Sequence, residues 1–133
     1  MKVRMILSLL SVSLLNSCVN TNDDANGVDP CGVYTLVSID GNLVPTVTRH
    51  GNHEVFVQSG TFTISDDGTC VSEVVFGPSS DKLQTRVVQA TYTRKGTQLK
   101  MKWKGAGRTE GAVEGDTFTM NNEGMMFKYQ KQP

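Results

Sequence analysis

The chain has 133 residues and a mass of 14.5 kDa, room for a single domain. Lys plus Arg and Asp plus Glu number 13 each, and this balance argues against a nucleic-acid binder, which needs clustered excess positive charge. From Gly32 the glycines recur at 41, 51, 60, 68 and 77, then at 96, 105, 107, 111, 115 and 124. Punctuation at that interval is the spacing of short antiparallel strands.

Lys2 and Arg4 precede an apolar run over residues 5–15, too short to span a bilayer and shaped like the core of a signal peptide. It ends in Leu15-Asn16-Ser17-Cys18, which resembles the lipobox of bacterial lipoproteins, with an aliphatic residue three before the cysteine and a small residue directly before it. The resemblance implies removal of residues 1–17, acylation of Cys18 by palmitate-type chains, and a lipid anchor as the membrane partner. Val19 is not the aspartate that commonly retains lipoproteins in the inner membrane, so the expected location is the bacterial outer membrane, on its periplasmic face or at the cell surface. Residues 18–30 are polar and turn-rich and are expected to form a flexible tether, holding a domain on the order of 20 Å from the lipid. Loss of Lys2 and Arg4 leaves the remainder slightly acidic, so anchoring falls to the acyl chains rather than to attraction for anionic lipid.

Cys31 and Cys70 then remain, an even number for an oxidising compartment. No second cysteine lies at zinc-binding spacing from either, and the only histidines are His50 and His53, so no metal site is expected. A disulfide is the expectation and a pair of buried thiols the alternative. The bridge would close a loop of about 40 residues and contribute roughly 3 to 4 kcal/mol on the chain-entropy model.

Alternation then predicts strands along the chain. The first covers residues 32–39, with Tyr34 and Leu36 on one face, and the second, after a polar loop over 40–53, covers residues 54–65, with Phe62 and Ile64 facing inward. Asp66-Asp67-Gly68 is a hairpin turn. Further strands follow over residues 69–76, 85–93, 98–104, 109–113, 117–121 and 125–130. The stretch 98–104 is the clearest, with Leu99, Met101 and Trp103 alternating with Lys100, Lys102 and Lys104. Helical spacing of Leu83, Val87 and Ala90 competes over 83–90, but the β-branched Thr85, Val87, Val88, Thr91 and Thr93 favour a strand.

About eight short strands in sequence close most simply into a small antiparallel up-and-down β-barrel, which leaves no sheet edge exposed. Tight turns then gather at one end with the start of the first strand, and longer loops over 40–53, 77–84 and 105–108 at the other. Both Cys31 and Cys70 fall at the tight end, as do Tyr34, Tyr92 and Tyr129, which are expected to plug the barrel floor. The stretch Gly32-Val33-Tyr34-Thr35-Leu36-Val37-Ser38-Ile39-Asp40-Gly41, with Pro45 after it, resembles the opening of bacterial lipocalin-like domains. Ser59-Gly60-Thr61-Phe62-Thr63-Ile64, Ala90-Thr91-Tyr92-Thr93 and Gly115-Asp116-Thr117-Phe118-Thr119-Met120 resemble their hairpins. The resemblance spans residues 31–130 and implies an all-β, lipocalin-like barrel.

Catalytic constellations are sparse, and no enzymatic activity or cofactor is expected. His50-Gly51-Asn52-His53-Glu54 lacks the helical spacing of a metalloprotease. The glycines of 105–111 lack the dinucleotide spacing, and the carboxylates of Asp66-Asp67 and Glu114/Asp116 lie in turns. A binding role is better supported. Phe76, Trp103, Met120 and Met125 are in phase to point inward near the long-looped end, with Arg86 in phase with Val88, Ala90 and Tyr92. An apolar chamber with one cation near its mouth suits an amphiphile with an anionic head, such as a fatty acid, with Arg49, His50 and His53 as the rim. A barrel filled by its own side chains is the competing arrangement. The alternative function is a non-catalytic module that binds a protein partner, for instance a periplasmic or surface inhibitor of a hydrolase, working through the loop at 40–53 or 77–84. The lysines of 98–104 form a basic outer stripe, most simply a solvated face.

Overall fold

The structure, a computed structural model, describes residues 29–133; the signal segment, Cys18 and the tether as far as residue 28 lie outside the described residues. Ten strands follow in order: β1 (Gly32–Ile39), β2 (Asn42–Leu43), β3 (Thr46–His50), β4 (His53–Ile64), β5 (Thr69–Ser79), β6 (Lys82–Lys95), β7 (Gln98–Trp103), β8 (Arg108–Glu114), β9 (Thr117–Asn122) and β10 (Met125–Lys131). From β4 to β10 each strand pairs antiparallel with the next, and β1 pairs with β10 on one side and β4 on the other. Eight strands thereby close an up-and-down barrel. The expected all-β barrel is the fold.

Alternation accounts for most of this. In β7 Leu99, Met101 and Trp103 are buried while the three lysines between and beyond them face solvent, the period of a strand covered on one side only. At the β4–β5 turn Asp67 accepts hydrogen bonds from the Thr69 backbone N–H at 3.0 Å and the Thr69 hydroxyl at 2.6 Å, the local bonding that makes aspartate a turn residue.

The long-looped end departs from expectation in two places. Residues 40–53 are not a plain loop: β2 adds to the end of β1, and β3 forms a hairpin with the upper part of β4, His50 opposite His53. Nor do residues 77–84 form a loop, since β5 and β6 continue to a turn at Ser80-Asp81 with Ser79 opposite Lys82. A strand survives Pro78 because the register shifts between Phe76 and Ser79, a bulge in which the missing N–H of proline costs no ladder bond. Gly77 is the other half of the explanation: a Cβ there would lie 1.7 Å from the Lys82 carbonyl oxygen.

The lower half of the barrel is solid. Tyr34, Phe62, Phe118 and Tyr129 are fully or almost fully buried, and Phe62 sits at the centre, its ring 4.7 Å from Phe118, 5.6 Å from Tyr129 and 5.9 Å edge-on from Trp103. Such contacts add to the large area each ring removes from water. Gly111 makes room for them: a Cβ there would meet the Phe118 ring and the Thr119 carbonyl oxygen, each at 2.7 Å. The Tyr34 hydroxyl donates to the Pro30 carbonyl at 2.7 Å and the Tyr92 hydroxyl to that of Ser65, so two tyrosines tie down the chain segments that cross the floor.

The disulfide expected between Cys31 and Cys70 is not formed. Both side chains are buried at the floor, but β4 runs between their strands: Ile64 is flanked by Gly32 on one side and Cys70 on the other. Burial pushes the Cys70 thiol up to about 12, so neutral pH supplies almost no thiolate to begin exchange. In this fold Cys70 packs within the core as a small apolar side chain.

Candidate functional site

Above the aromatic floor the barrel is open, enclosing a cavity of about 340 Å³, near the lower end of the range for small-molecule sites. Its walls follow from inward alternation. β5 contributes Ser72, Val74 and Phe76; β6 contributes Arg86 and Val88; Trp103, Met120 and Met125 come from β7, β9 and β10. Thr48 and His50 of β3 and Val55 of β4 complete the side on which β1 is too short to reach the mouth. A smaller groove of about 180 Å³ lies over the outward side chains of β7–β10, including Lys100, Glu110 and Met126, outside the barrel.

Trp103 forms part of the boundary between packed floor and cavity. Its indole N–H donates to the Thr109 hydroxyl at 2.7 Å and its ring meets Phe62 edge-on, so the indole is held by a hydrogen bond and by packing. Arg86 faces Val74 across the β5–β6 ladder. It is solvent-exposed at the mouth, and among the described residues no carboxylate lies within ion-pair distance of it. The acid at the same mouth, Glu123, is engaged elsewhere, 3.1 Å from His50 Nε2.

That contact belongs to a seam. β3 pairs with β4 but with no other strand, so between β3 and β10 the wall is joined by side chains: Thr48 Oγ1 donates to Met125 Sδ at 3.1 Å, and His50 meets Glu123. Side-chain contacts of this kind open at lower cost than a backbone ladder.

Below the cavity, within the packed floor, one polar group lacks a partner among the described residues. Tyr129 reaches inward from β10, and its hydroxyl is buried without a hydrogen-bond partner among the described residues. The Ser72 hydroxyl is its polar neighbour but is not placed for a full hydrogen bond. Burial raises the phenol well above its ordinary value and Ser72 offsets part of that, so Tyr129 carries its proton throughout the working pH range.

Of the expected site residues, Arg86, Trp103, Phe76, Met120, Met125 and His50 are brought together around this cavity. Arg49 and His53 are not. Arg49 points outward, 3.6 Å from Glu54 with both side chains mostly in solvent, and His53 is exposed at the start of β4 without lining the cavity. The cavity also takes in residues outside that expectation, Ser72, Val74 and Thr48 among them. Ser72 and Val74 continue the inward phase of Cys70 and Phe76 and were legible from alternation; Thr48 was hidden because β3 read as loop. No group of three metal-ligating side chains forms among the described residues. Set beside known proteins, the chain matches no family model, no curated protein and no solved structure.

Proposed function

We propose that this is a lipid-anchored, lipocalin-like barrel whose role is to bind, without catalysis, a small amphiphile with an anionic head. The observation that carries the reading is Arg86, a cation with no acidic partner among the described residues, at the mouth of a cavity lined mainly by apolar side chains. An anionic head accepts charge-assisted hydrogen bonds from the guanidinium while the chain lies against Phe76, Val88, Trp103 and Met120. Each methylene removed from water contributes about 0.8 kcal/mol, so a medium-length chain offsets the cost of association and binds in the micromolar range. Cys18 supplies the outer-membrane anchor in this reading. The tether joins the barrel at its floor, so the mouth is turned away from the lipid.

The test is native mass spectrometry of the purified protein before and after incubation with decanoate, for wild type and Arg86→Gln. The reading requires a one-to-one complex whose affinity falls about tenfold or more in the variant, the loss of a charge-assisted hydrogen bond. Only unliganded protein under all conditions overturns it.

A further inference from the structure

We infer that the outer face of β7 and its neighbours, outside the barrel and independent of the chamber, binds a linear anionic polysaccharide. Lys100 and Lys102 stand on the solvent side of β7, with Lys104 next in the same phase and Arg108 of β8 directly opposite Lys102. Successive residues on one face of a strand are roughly 7 Å apart and cross-strand neighbours about 5 Å, so the four cations form one continuous patch. In a chain whose charges balance, 13 of each sign, that is a segregation: Asp66, Asp67, Glu114 and Asp116 lie at the turns of the floor end. None of the four cations makes an ion pair among the described residues, and Glu110, in register with Lys100, stays beyond ion-pair distance. Like charges directly opposite each other destabilise a sheet, so Lys102 facing Arg108 is a cost to the fold that a bound anion removes. The neighbours of the patch indicate which anion. Thr91 is opposite Lys102 and Thr93 opposite Lys100, both exposed. Cations thus alternate with hydroxyls, and no residue in register with the patch is aromatic or large and apolar: there is nothing on which bases stack and no apolar centre of a protein interface. Sugar hydroxyls with carboxylates or sulfates spaced along a chain meet both kinds of group. An anionic bilayer is repelled by the acids of the floor end, where the described chain begins.

The experiment is titration of fluorescently labelled heparin, a linear anionic polysaccharide, with the purified protein at about 20 and about 150 mM salt. Wild type is compared with a Lys102→Gln, Arg108→Gln double variant and with a Lys82→Gln, Lys128→Gln double variant, which removes the same charge from the β5–β6 tip and β10. Wild type is expected to bind at the lower salt and to lose about a hundredfold in affinity at the higher, through release of about four counterions. The Lys102, Arg108 variant should lose about tenfold at the lower salt, with Tm at or above the wild-type value because the like-charge pair is gone. The Lys82, Lys128 variant should match wild type. No binding at the lower salt overturns the inference, and so do equal losses in the two double variants, which would make the attraction one of net charge alone. Tighter binding to phosphatidylglycerol vesicles or to single-stranded DNA than to heparin would overturn it in favour of a lipid surface or a nucleic acid.

Discussion

Removing the Tyr129 hydroxyl should make the unliganded protein more stable. The residue is buried on β10 among Phe62, Phe118 and Phe127, so Tyr129→Phe keeps the ring contacts and deletes one buried oxygen that has no hydrogen-bond partner among the described residues. An unsatisfied buried hydroxyl costs roughly 1 to 3 kcal/mol. Ser72 beside it recovers part of that, which places the expected gain near the lower limit, about 1 kcal/mol. In a domain of this size such a gain raises Tm by about 4 to 8 °C. Thermal and urea unfolding of ligand-free wild type and variant, followed by far-ultraviolet circular dichroism, measures it. A loss of about 1 kcal/mol or more would show that the hydroxyl makes a hydrogen bond in the folded protein and would refute the reasoning.

Three other outcomes follow from the same structure. Gly111→Ala forces a methyl group onto the Phe118 ring and the Thr119 carbonyl oxygen and should cost about 1 to 3 kcal/mol in urea unfolding; a neutral effect would contradict the close approach of β8 to β9. Hydrogen bonds from the Thr69 hydroxyl and backbone hold the Asp67 carboxyl below its ordinary value of 3.8. A carboxyl with a lower pKa folded than unfolded contributes stability that is present above the unfolded value and lost as pH falls through the folded one. Asp67→Asn is therefore expected to lower Tm at neutral pH by an amount that vanishes in strong acid; a deficit independent of pH would assign the effect to turn geometry instead. For the cysteines, intact mass of the unfolded protein should be the same with and without reductant, since Cys31 and Cys70 are not bonded. A gain of two hydrogens on reduction would establish a bridge.

The barrel was legible because its strands are covered on one face, and outside the bulges a period of two marks the inward side chains from Tyr34 to Tyr129. The same alternation in the sequence groups Arg86, Trp103, Phe76, Met120 and Met125. What escaped notice was irregular. β3 is five residues long between Pro45 and Gly51, too short for alternation to show and set among residues that signal turns. Pro78 reads as the end of a strand unless the bulge that shelters it is seen. Arg49 shares a loop with His50 in sequence but not a direction, because it is on the outward phase of the β3–β4 hairpin, whereas His53 is opposite His50 at the end of that hairpin and does not line the cavity. The unsatisfied Tyr129 hydroxyl was illegible for a further reason. Whether Tyr129 finds a partner depends on side chains reaching across the barrel from β5, a relation that no local pattern encodes.

Trp103 is the sole tryptophan in the chain and lines the cavity, so its emission reports directly on whether the chamber takes a guest. Titration of the protein with decanoate should shift Trp103 emission to shorter wavelength, saturably and with a micromolar midpoint, and Arg86→Gln should move that midpoint upward about tenfold. Emission that stays unchanged up to the solubility limit of the fatty acid would contradict the claim that this barrel is built to hold an amphiphile.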